Sequence, residues 1–226
     1  MKKELLFKIV KIIKKKIEFS IVTNLTNGES CIYEKNKKIL QNFKKYDKKI
    51  KYYFDSRKSG IIKDTDIFIE NYFNPIKIFI VGAVHITQHL IILSKELNFE
   101  IIVIDPRGYF ASLNRFPNAT IINKWPIDAF KEIKPDKNSA LVALTHDPKI
   151  DDPAIQYAIK NNFFYIGALG SEKTHNKRCI RLKKSGFSKN QIDKIYGPIG
   201  IKLGGKSTPE IAISIISQLI LKINKK

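Results

Sequence analysis

Two short segments carry residue types that suit the binding of a phosphate and a hydroxyl group. The segment Gly82-Ala83-Val84-His85 follows an apolar run and precedes a helical pattern. A glycine there lets the chain turn tightly, and the helix behind it offers free N–H groups to an anion. Asp105 lies 23 residues after Gly82, which is the spacing of the acidic residue that accepts a ribose hydroxyl in dinucleotide-binding folds. Arg107 lies beside it.

Only one glycine of the dinucleotide-binding pattern G-x-G-x-x-G is present. Val84 and Thr87 stand where the second and third glycines would lie. A branched side chain at position 84 impedes the close backbone approach that a pyrophosphate needs. The motif alone is therefore a weak signal, and Asp105 has the alternative role of capping a loop beside Pro106.

Two further segments follow apolar runs and could line the same ligand. In Thr145-His146-Asp147, His146 is either a general acid–base group or a loop histidine bonded to backbone. The segment Gly167-Ala168-Leu169-Gly170-Ser171 is typical of a strand-to-helix turn whose last residue caps the helix. Lys173 and Arg178 would make the same turn an anion cradle.

Other residues with reactive side chains show no supporting pattern. Cys31 and Cys179 lie far apart without metal-ligand spacing, and nothing pairs them in a disulfide. The four histidines are scattered and do not form a zinc site. The Gly-Lys-Ser sequence at 205–207 lacks the upstream glycine spacing of a P-loop, and Thr208 is predicted to cap a helix that begins at Pro209. We therefore assign no metal ligand and no catalytic residue.

After Asn74 the chain alternates strand-like and helical patterns. A parallel sheet with helices on both faces is predicted for residues 75–226, so the fold class is α/β. In such sheets ligands bind beyond the carboxyl ends of the strands, where all four segments lie. The predicted strands are 76–81, 100–104, 120–122, 140–144 and 163–166, and the predicted helices are 86–97, 127–133, 152–161, 172–184 and 209–221.

Residues 1–74 are predicted to form a small α+β unit. A basic amphipathic helix is predicted at about 2–15, and a two-residue turn at Asn27-Gly28 is expected to join two strands of a hairpin. The predicted strands of this unit are 19–25, 31–33, 51–54 and 66–72.

The composition limits the classes of partner. The formal net charge is +20, but lysines outnumber arginines by 36 to 5 and are spread along the chain. Phosphate recognition favours arginine, so most of this charge is interpreted as compositional, and nucleic acid is not an expected partner. No stretch is long enough to span a membrane, and the N-terminal lysines interrupt any signal-peptide pattern. A cytoplasmic location and no membrane partner are expected.

Several further segments occur in order with the four described above. They are Arg115-Phe116-Pro117, Asp151-Asp152-Pro153, Gly197-Pro198-Ile199-Gly200 and Thr208-Pro209-Glu210-Ile211-Ala212. Together the set resembles the Rossmann domain of the XdhC/CoxF family, the xanthine dehydrogenase accessory proteins. The resemblance covers about residues 75–221, and the ordered set is far more specific than any single motif.

The resemblance implies a carrier rather than an enzyme that turns over substrate. Its cargo would be the molybdenum cofactor (molybdopterin), protected during sulfuration and delivered to a molybdenum hydroxylase apoenzyme of the xanthine dehydrogenase type. By this resemblance Gly82, Ala83, Val84 and His85 would approach the phosphate or pterin, with Asp105 and Arg107 on the second-strand side. The opposite wall would consist of Thr145, His146, Asp147, Gly167, Leu169, Gly170 and Ser171.

The chain also departs from the family pattern. Many members have Gly-Ala-Gly-His where Val84 stands here, and two segments of the usual N-terminal domain, resembling Gly-Ser-Ala-Pro-Arg and Gly-Gly-Gly-Cys-x-Glu, are absent before residue 75. A cysteine desulfurase partner and a homodimer stay open. So do two other interpretations: an NAD(P)-dependent oxidoreductase using Asp105 and His146, and a basic module for an acidic surface.

Overall fold

The computed structural model describes residues 3–136 and 138–224. They form two compact units, one made of the residues up to Asn74 with Asn224, and one spanning Pro75–Ile223.

The first unit is a four-stranded antiparallel sheet with two α-helices. Its elements are α1 (Lys3–Lys14), β1 (Phe19–Asn24), β2 (Ser30–Glu34), a 3₁₀ helix (Gln41–Tyr46), α2 (Asp47–Asp55), β3 (Gly60–Ile61) and β4 (Ile67–Tyr72). The strand order is β2-β1-β4-β3. Its core contains Val22 and Ile69 from the sheet and Ile50 and Phe54 from α2.

Two predictions for this unit are wrong. Residues 51–54 are not a strand but part of α2, because Ile50 and Phe54, four residues apart, are buried on one helical face. The aromatic run favours a strand locally, and this tertiary burial overrides that preference. The connection between β1 and β2 spans five residues instead of two, with Gly28 at φ +73° near its end.

The second unit is a six-stranded sheet with helices packed against it. Its strands are β5 (Lys77–Val81), β6 (Glu100–Ile104), β7 (Thr120–Ile122), β8 (Ser139–Ala143), β9 (Tyr165–Ala168) and β10 (Ile195–Tyr196). Its helices are α3 (His85–Lys95), α4 (Pro126–Glu132), α5 (Pro148–Lys160), α6 (Glu172–Lys184), α7 (Lys189–Ile192) and α8 (Thr208–Ile223).

All strands of this sheet are parallel, in the order β10-β9-β8-β5-β6-β7. From β5 the chain moves outward to β6 and β7, then returns to the other side of β5 with β8. This is the strand order of the Rossmann fold, so the predicted α/β class is confirmed.

Alternate strand residues supply two apolar layers, one on each face of the sheet. On one face, Phe79 and Leu141 pack with Ile155 of α5 and Leu182 of α6. On the other, Ile80 and Val142 belong to the cluster that holds Leu90 of α3 and Ile215 of α8. Each such fully buried aliphatic side chain contributes about 2 kcal/mol to stability. Both faces are covered, which explains why the strands are continuous apolar runs.

The predicted boundaries of three elements in this unit need correction. Helix α5 begins at Pro148 rather than at residue 152, and its cap is Asp147, not Asp151 or Asp152. Strand β9 is shifted to Tyr165–Ala168, so Gly167 lies inside it. Helix α8 begins at Thr208, one residue early. The short elements α7 and β10 are not predicted, because each has too few residues to show the hydrophobic periodicity of a helix or a strand.

Candidate functional site

The sequence-predicted site residues meet at one edge of the sheet, with Gly167 lying one residue back inside β9. Strands β5, β6, β8 and β9 are parallel and end at this carboxyl edge, so the loops that follow them are neighbours. Helix α3, which follows β5, packs on one face of the sheet, and α5, which follows β8, packs on the other. The chain therefore leaves the ends of β5 and β8 toward opposite faces of the sheet, and at this switch point Rossmann folds bind ligands in a crevice.

Gly82 closes the base of this crevice. It has φ +120°, and a Cβ atom at this position would lie 3.0 Å from Thr145 Cγ2 and 3.1 Å from the Thr145 backbone nitrogen. Only glycine fits this combination of backbone angle and close approach. Its carbonyl accepts a hydrogen bond from Thr87 Oγ1 at 2.6 Å, which fixes the turn into α3.

We expect Gly82→Ala to lower the free energy of unfolding by about 2–3 kcal/mol, because backbone strain adds to the contact with Thr145. Gly186→Ala is the matched control: Gly186 also has a positive φ, +88°, but no atom lies within 4 Å of its Cβ position. Urea unfolding of both variants separates the cost of the positive φ, which both variants have, from the cost of the contact with Thr145, which only Gly82→Ala has. Equal losses of unfolding free energy in the two variants would show that the close contact with Thr145 adds nothing to the cost of Gly82→Ala.

Asp105 is fully buried beneath the first turn and bonded to two neighbours. Its Oδ2 accepts the Ala83 amide at 2.9 Å and Arg107 Nη2 at 2.8 Å. Its Oδ1 accepts the Arg107 amide and Arg107 Nε, both at 2.9 Å. These four donors use all the lone-pair positions of a carboxylate. Asp105 thus has no free acceptor for a ribose hydroxyl in this arrangement.

Burial alone would raise the pKa of the Asp105 carboxyl. The hydrogen bonds from Arg107 and Ala83 together outweigh that effect, and the pKa lies below its ordinary value of 3.8. Asp105 therefore carries its charge throughout the neutral range and locks the β5–α3 turn to the end of β6.

The N-terminus of α3 carries no side-chain cap. Its N-cap residue is Val84, whose backbone is extended and whose side chain packs partly against the apolar cluster beneath α3. His85, the first residue of the helix, is exposed. The first-turn N–H groups of a helix lack intrahelical acceptors, so an uncapped terminus facing a crevice favours an anion.

The loop after β8 is held from below by a buried carboxylate. Asp151 Oδ1 accepts the Thr145 hydroxyl at 2.7 Å and the Thr145 amide at 3.3 Å. His146 is exposed with φ +62°, and Asp147 caps α5 through the Lys149 amide at 2.9 Å. Asp147 is thus engaged in a structural contact, while the His146 side chain is presented to solvent.

The turn after β9 contains one of the predicted glycines and is contacted by a buried arginine of α6. Gly170 has φ +140°, Leu169 precedes it, and Ser171 caps α6 by accepting the Thr174 amide at 3.2 Å. Arg178 is not an exposed cradle residue: it is 2% exposed, and its Nη2 donates to the Leu169 carbonyl at 2.9 Å.

Asp151 and Arg178 form an electrostatic pair that sequence reasoning missed. Within the part of the chain that the structure describes, Asp151 Oδ2 and Arg178 Nε and Nη1 are buried without a hydrogen-bond partner. Burial raises the pKa of Asp151, and Arg178 acts against that rise. Burial also lowers the pKa of Arg178, which Asp151 opposes. In the sequence, Asp151 stands out only as one of two adjacent aspartates at 151–152. That pattern indicates a helix cap and does not indicate a buried charge.

Arg115 is a second residue whose role only the structure shows. Its Nη1 donates to the Ala83 carbonyl at 3.2 Å and to the Phe110 carbonyl at 2.5 Å. It therefore ties the loop after β6 to the β5–α3 turn.

The two cysteines and a third histidine, His175, have contacts of their own. Both cysteines are free thiols, and burial raises the pKa of Cys31 to about 12. Cys179 Sγ lies 3.4 Å from His175 Nε2, and burial raises its pKa as well. Over residues 3–136 and 138–224, no three His, Cys, Asp or Glu side chains are grouped to hold a metal ion. Within the same ranges, no helix is long and apolar enough to cross a membrane.

Two surface cavities of this unit lie at the opposite edge of the sheet. One, of about 400 Å³, is lined by Asn162 and Lys194, which precede β9 and β10. The other, of about 350 Å³, is lined by Pro75 and Phe99, which precede β5 and β6. Both are at amino ends of strands, where open parallel sheets do not place their ligands.

Comparison with known proteins agrees with the Rossmann fold of this unit. The family model for the XdhC Rossmann domain matches residues 78–219. A probable xanthine dehydrogenase subunit of Bacillus subtilis (strain 168) is 28% identical over 157 residues, 69% of this chain and 46% of that protein. The molybdenum cofactor insertion chaperone PaoD of Escherichia coli (strain K12) is 31% identical over 99 residues, 44% of this chain and 30% of that protein.

The fold is shared with a solved structure. The crystal structure of a xanthine dehydrogenase from Bacillus halodurans superposes with a TM-score of 0.71 at 20% identity, covering 99% of this chain and 65% of that one. The chain spans less than half the length of the curated relatives it matches. Since the family model covers more than half of the chain, this chain belongs to the family that carries the XdhC Rossmann domain.

Proposed function

We propose that the second unit holds the molybdenum cofactor at the carboxyl edge of its sheet and hands it to a molybdenum hydroxylase apoenzyme of the xanthine dehydrogenase type. The observation that carries the proposal is the N-terminus of α3, which has no side-chain cap and lies at the switch point between β5 and β8. The name of the relative PaoD, a molybdenum cofactor insertion chaperone, supports this choice of cargo.

The phosphate of the cofactor would bind at the first turn of α3. The amides of Val84, His85 and Ile86 face no acceptor within their own helix, and the helix dipole favours an anion there. The His85 side chain is exposed and within reach of the same group. The Ala83 amide is not available, because Asp105 accepts it.

The opposite wall would be formed by the loops after β8 and β9. Thr145 is fixed by Asp151, and Leu169 by Arg178, so both loops rest on buried side chains instead of on flexible contacts. Fixed walls reduce the conformational entropy that a ligand must remove on binding. His146 is exposed in this wall, and its imidazole is suited to donate a hydrogen bond to the cargo.

A single substitution distinguishes phosphate binding at α3 from a purely structural helix start. In Val84→Asp, the new carboxylate would cap the helix and occupy the same amides. The capping gain of about 1 kcal/mol offsets the lost packing of Val84, so stability should change by less than about 1 kcal/mol. Affinity for the cofactor should nevertheless fall at least about tenfold, since a negative charge then lies where the phosphate binds.

The titration is made anaerobically with molybdenum cofactor, and separately with NADPH and NADH. Trp125→Asp is the matched control, because Trp125 is the uncapped N-cap residue of α4, which follows β7, two strands from β5 in the sheet. Cofactor binding by the native chain and by Trp125→Asp, with loss in Val84→Asp, supports the proposal. Unchanged binding in Val84→Asp would place the phosphate elsewhere. Binding of NADPH or NADH alone would favour the oxidoreductase instead.

Delivery is tested separately from binding. The loaded chain is mixed with a cofactor-free molybdenum hydroxylase of the xanthine dehydrogenase type, and the recovery of hydroxylase activity is compared with that produced by free cofactor. Faster recovery with the loaded chain supports delivery. Equal recovery would reduce the role to storage.

A further inference from the structure

The loop after β6 presents aromatic side chains to solvent. Tyr109 is 92% exposed and Phe110 45% exposed, and Leu113 in the same loop is also exposed. Single exposed apolar residues are common on protein surfaces. Here three exposed apolar side chains lie within five positions of one loop, next to the candidate site.

Arg115 places this loop beside the proposed phosphate site. The same nitrogen, Nη1, donates to the carbonyls of Ala83 and Phe110, so the two oxygens lie within about 6 Å of each other. Ala83 belongs to the turn that leads into α3. The backbone of Phe110 is therefore adjacent to the N-terminus of that helix.

A chain of contacts holds the aromatic rings in place. The buried Asp105 carboxylate fixes Arg107, whose guanidinium carbon lies 5.0 Å from the centre of the Phe110 ring. The Phe110 and Tyr109 rings then meet edge to face, with centroids 5.8 Å apart at 84°. One side of Phe110 is covered in this way. Tyr109 is therefore held by its contact with Phe110 in the same loop, while most of its ring surface is exposed to solvent.

We propose that Tyr109 is a stacking platform for the flat heteroaromatic ring of the ligand whose phosphate binds at α3. This inference rests on the proposed function and adds the ring-binding subsite to it. The favoured ligand class is a pterin-type fused ring joined to a phosphate without a ribose, because the Asp105 oxygens are already filled. Stacking of a base-like ring on an aromatic side chain gives affinity without a hydrogen-bonding pattern.

The test uses 6-hydroxymethylpterin monophosphate as the probe, with quenching of pterin fluorescence as the readout. Tyr109→Ala should weaken binding about tenfold, and Tyr109→Phe should change it by less than about twofold because the ring is retained. Glycerol 3-phosphate, measured by competition, should bind both variants and the native chain equally, since it has a phosphate but no ring.

Tyr52→Ala is the matched control. Tyr52 is 61% exposed and also meets a neighbouring ring edge to face, Tyr53 at 6.1 Å, but it belongs to the first unit. Equal pterin affinity in Tyr109→Ala and the native chain would overturn the platform and leave the cofactor proposal standing. If the native chain binds neither the pterin probe nor molybdenum cofactor, both proposals fall.

Discussion

Asp105→Asn is expected to lower the free energy of unfolding of the second unit by about 3 kcal/mol at pH 7. The carboxylate accepts two N–H donors on each oxygen. An asparagine must turn its NH₂ group toward one of these pairs, so donor meets donor whichever way the amide lies. The loss lies at the low end of the range for a buried pair because the Arg107 side chain is 41% exposed and partly screened by water.

The same substitution should change the acid limb of the stability curve. The pKa of Asp105 is lower in the folded chain than its ordinary 3.8, so its stabilising contribution is present above about pH 4 and disappears as pH falls through the folded value. Asp105→Asn lacks this titration. Its deficit relative to the native chain should therefore shrink as pH falls below about 4, measured by urea unfolding at each pH.

Asp128→Asn is the control for Asp105→Asn. Asp128 pairs with Lys131 at 3.0 Å, but both side chains are more than half exposed. Exposed ion pairs of this type contribute little to stability, so we expect Asp128→Asn to change the free energy of unfolding by no more than about 0.5 kcal/mol. An equally small change in the unfolding free energy of Asp105→Asn would contradict the claim that Asp105 stabilises the β5–α3 turn against the end of β6.

Arg178→Met should cost about 3 kcal/mol at pH 7, because it leaves the Asp151 carboxylate buried without its counter-charge and the Leu169 carbonyl without a donor. Asp151 already has a raised pKa, and loss of Arg178 raises it further. A carboxyl with a raised folded pKa destabilises the fold above that pKa, and the penalty is removed as pH falls toward 3.8. The effect of Arg178→Met should therefore be smaller at pH 4 than at pH 7.

The double variant Asp151→Asn/Arg178→Met isolates the electrostatic part of this effect. An asparagine oxygen still accepts the Thr145 donors, and no buried charge is left, so about 2 kcal/mol should be recovered. Arg181→Met on the same helix is the control: the Arg181 side chain is 37% exposed, so water partly screens its pair with the buried Asp152, and a smaller loss than in Arg178→Met is expected. A loss in Arg178→Met that does not depend on pH between 4 and 7 would show that Asp151 does not respond to Arg178.

The alternation of apolar runs and helical periods is enough to predict the α/β sheet and the edge at which the site lies. Strands buried on both faces must be continuous runs such as Ile76–Val81, and parallel strands must end together, so the residues after them are brought to one edge. The order of motifs indicates the family, and the family model bears this out. These features are local or follow from topology, and the sequence determines them by itself.

Only the tertiary structure decided what individual side chains do. The spacing of Asp105 predicts a ligand acceptor, yet Arg107 and the Ala83 amide fill its oxygens. The position of Arg178 in the helix after β9 predicts a residue of an anion cradle, yet its side chain is buried and donates to the Leu169 carbonyl. The aromatic run in α2 likewise predicts a strand until its burial on one helical face is known. Burial and hydrogen-bond partners depend on residues distant in the chain, so no local pattern determines them.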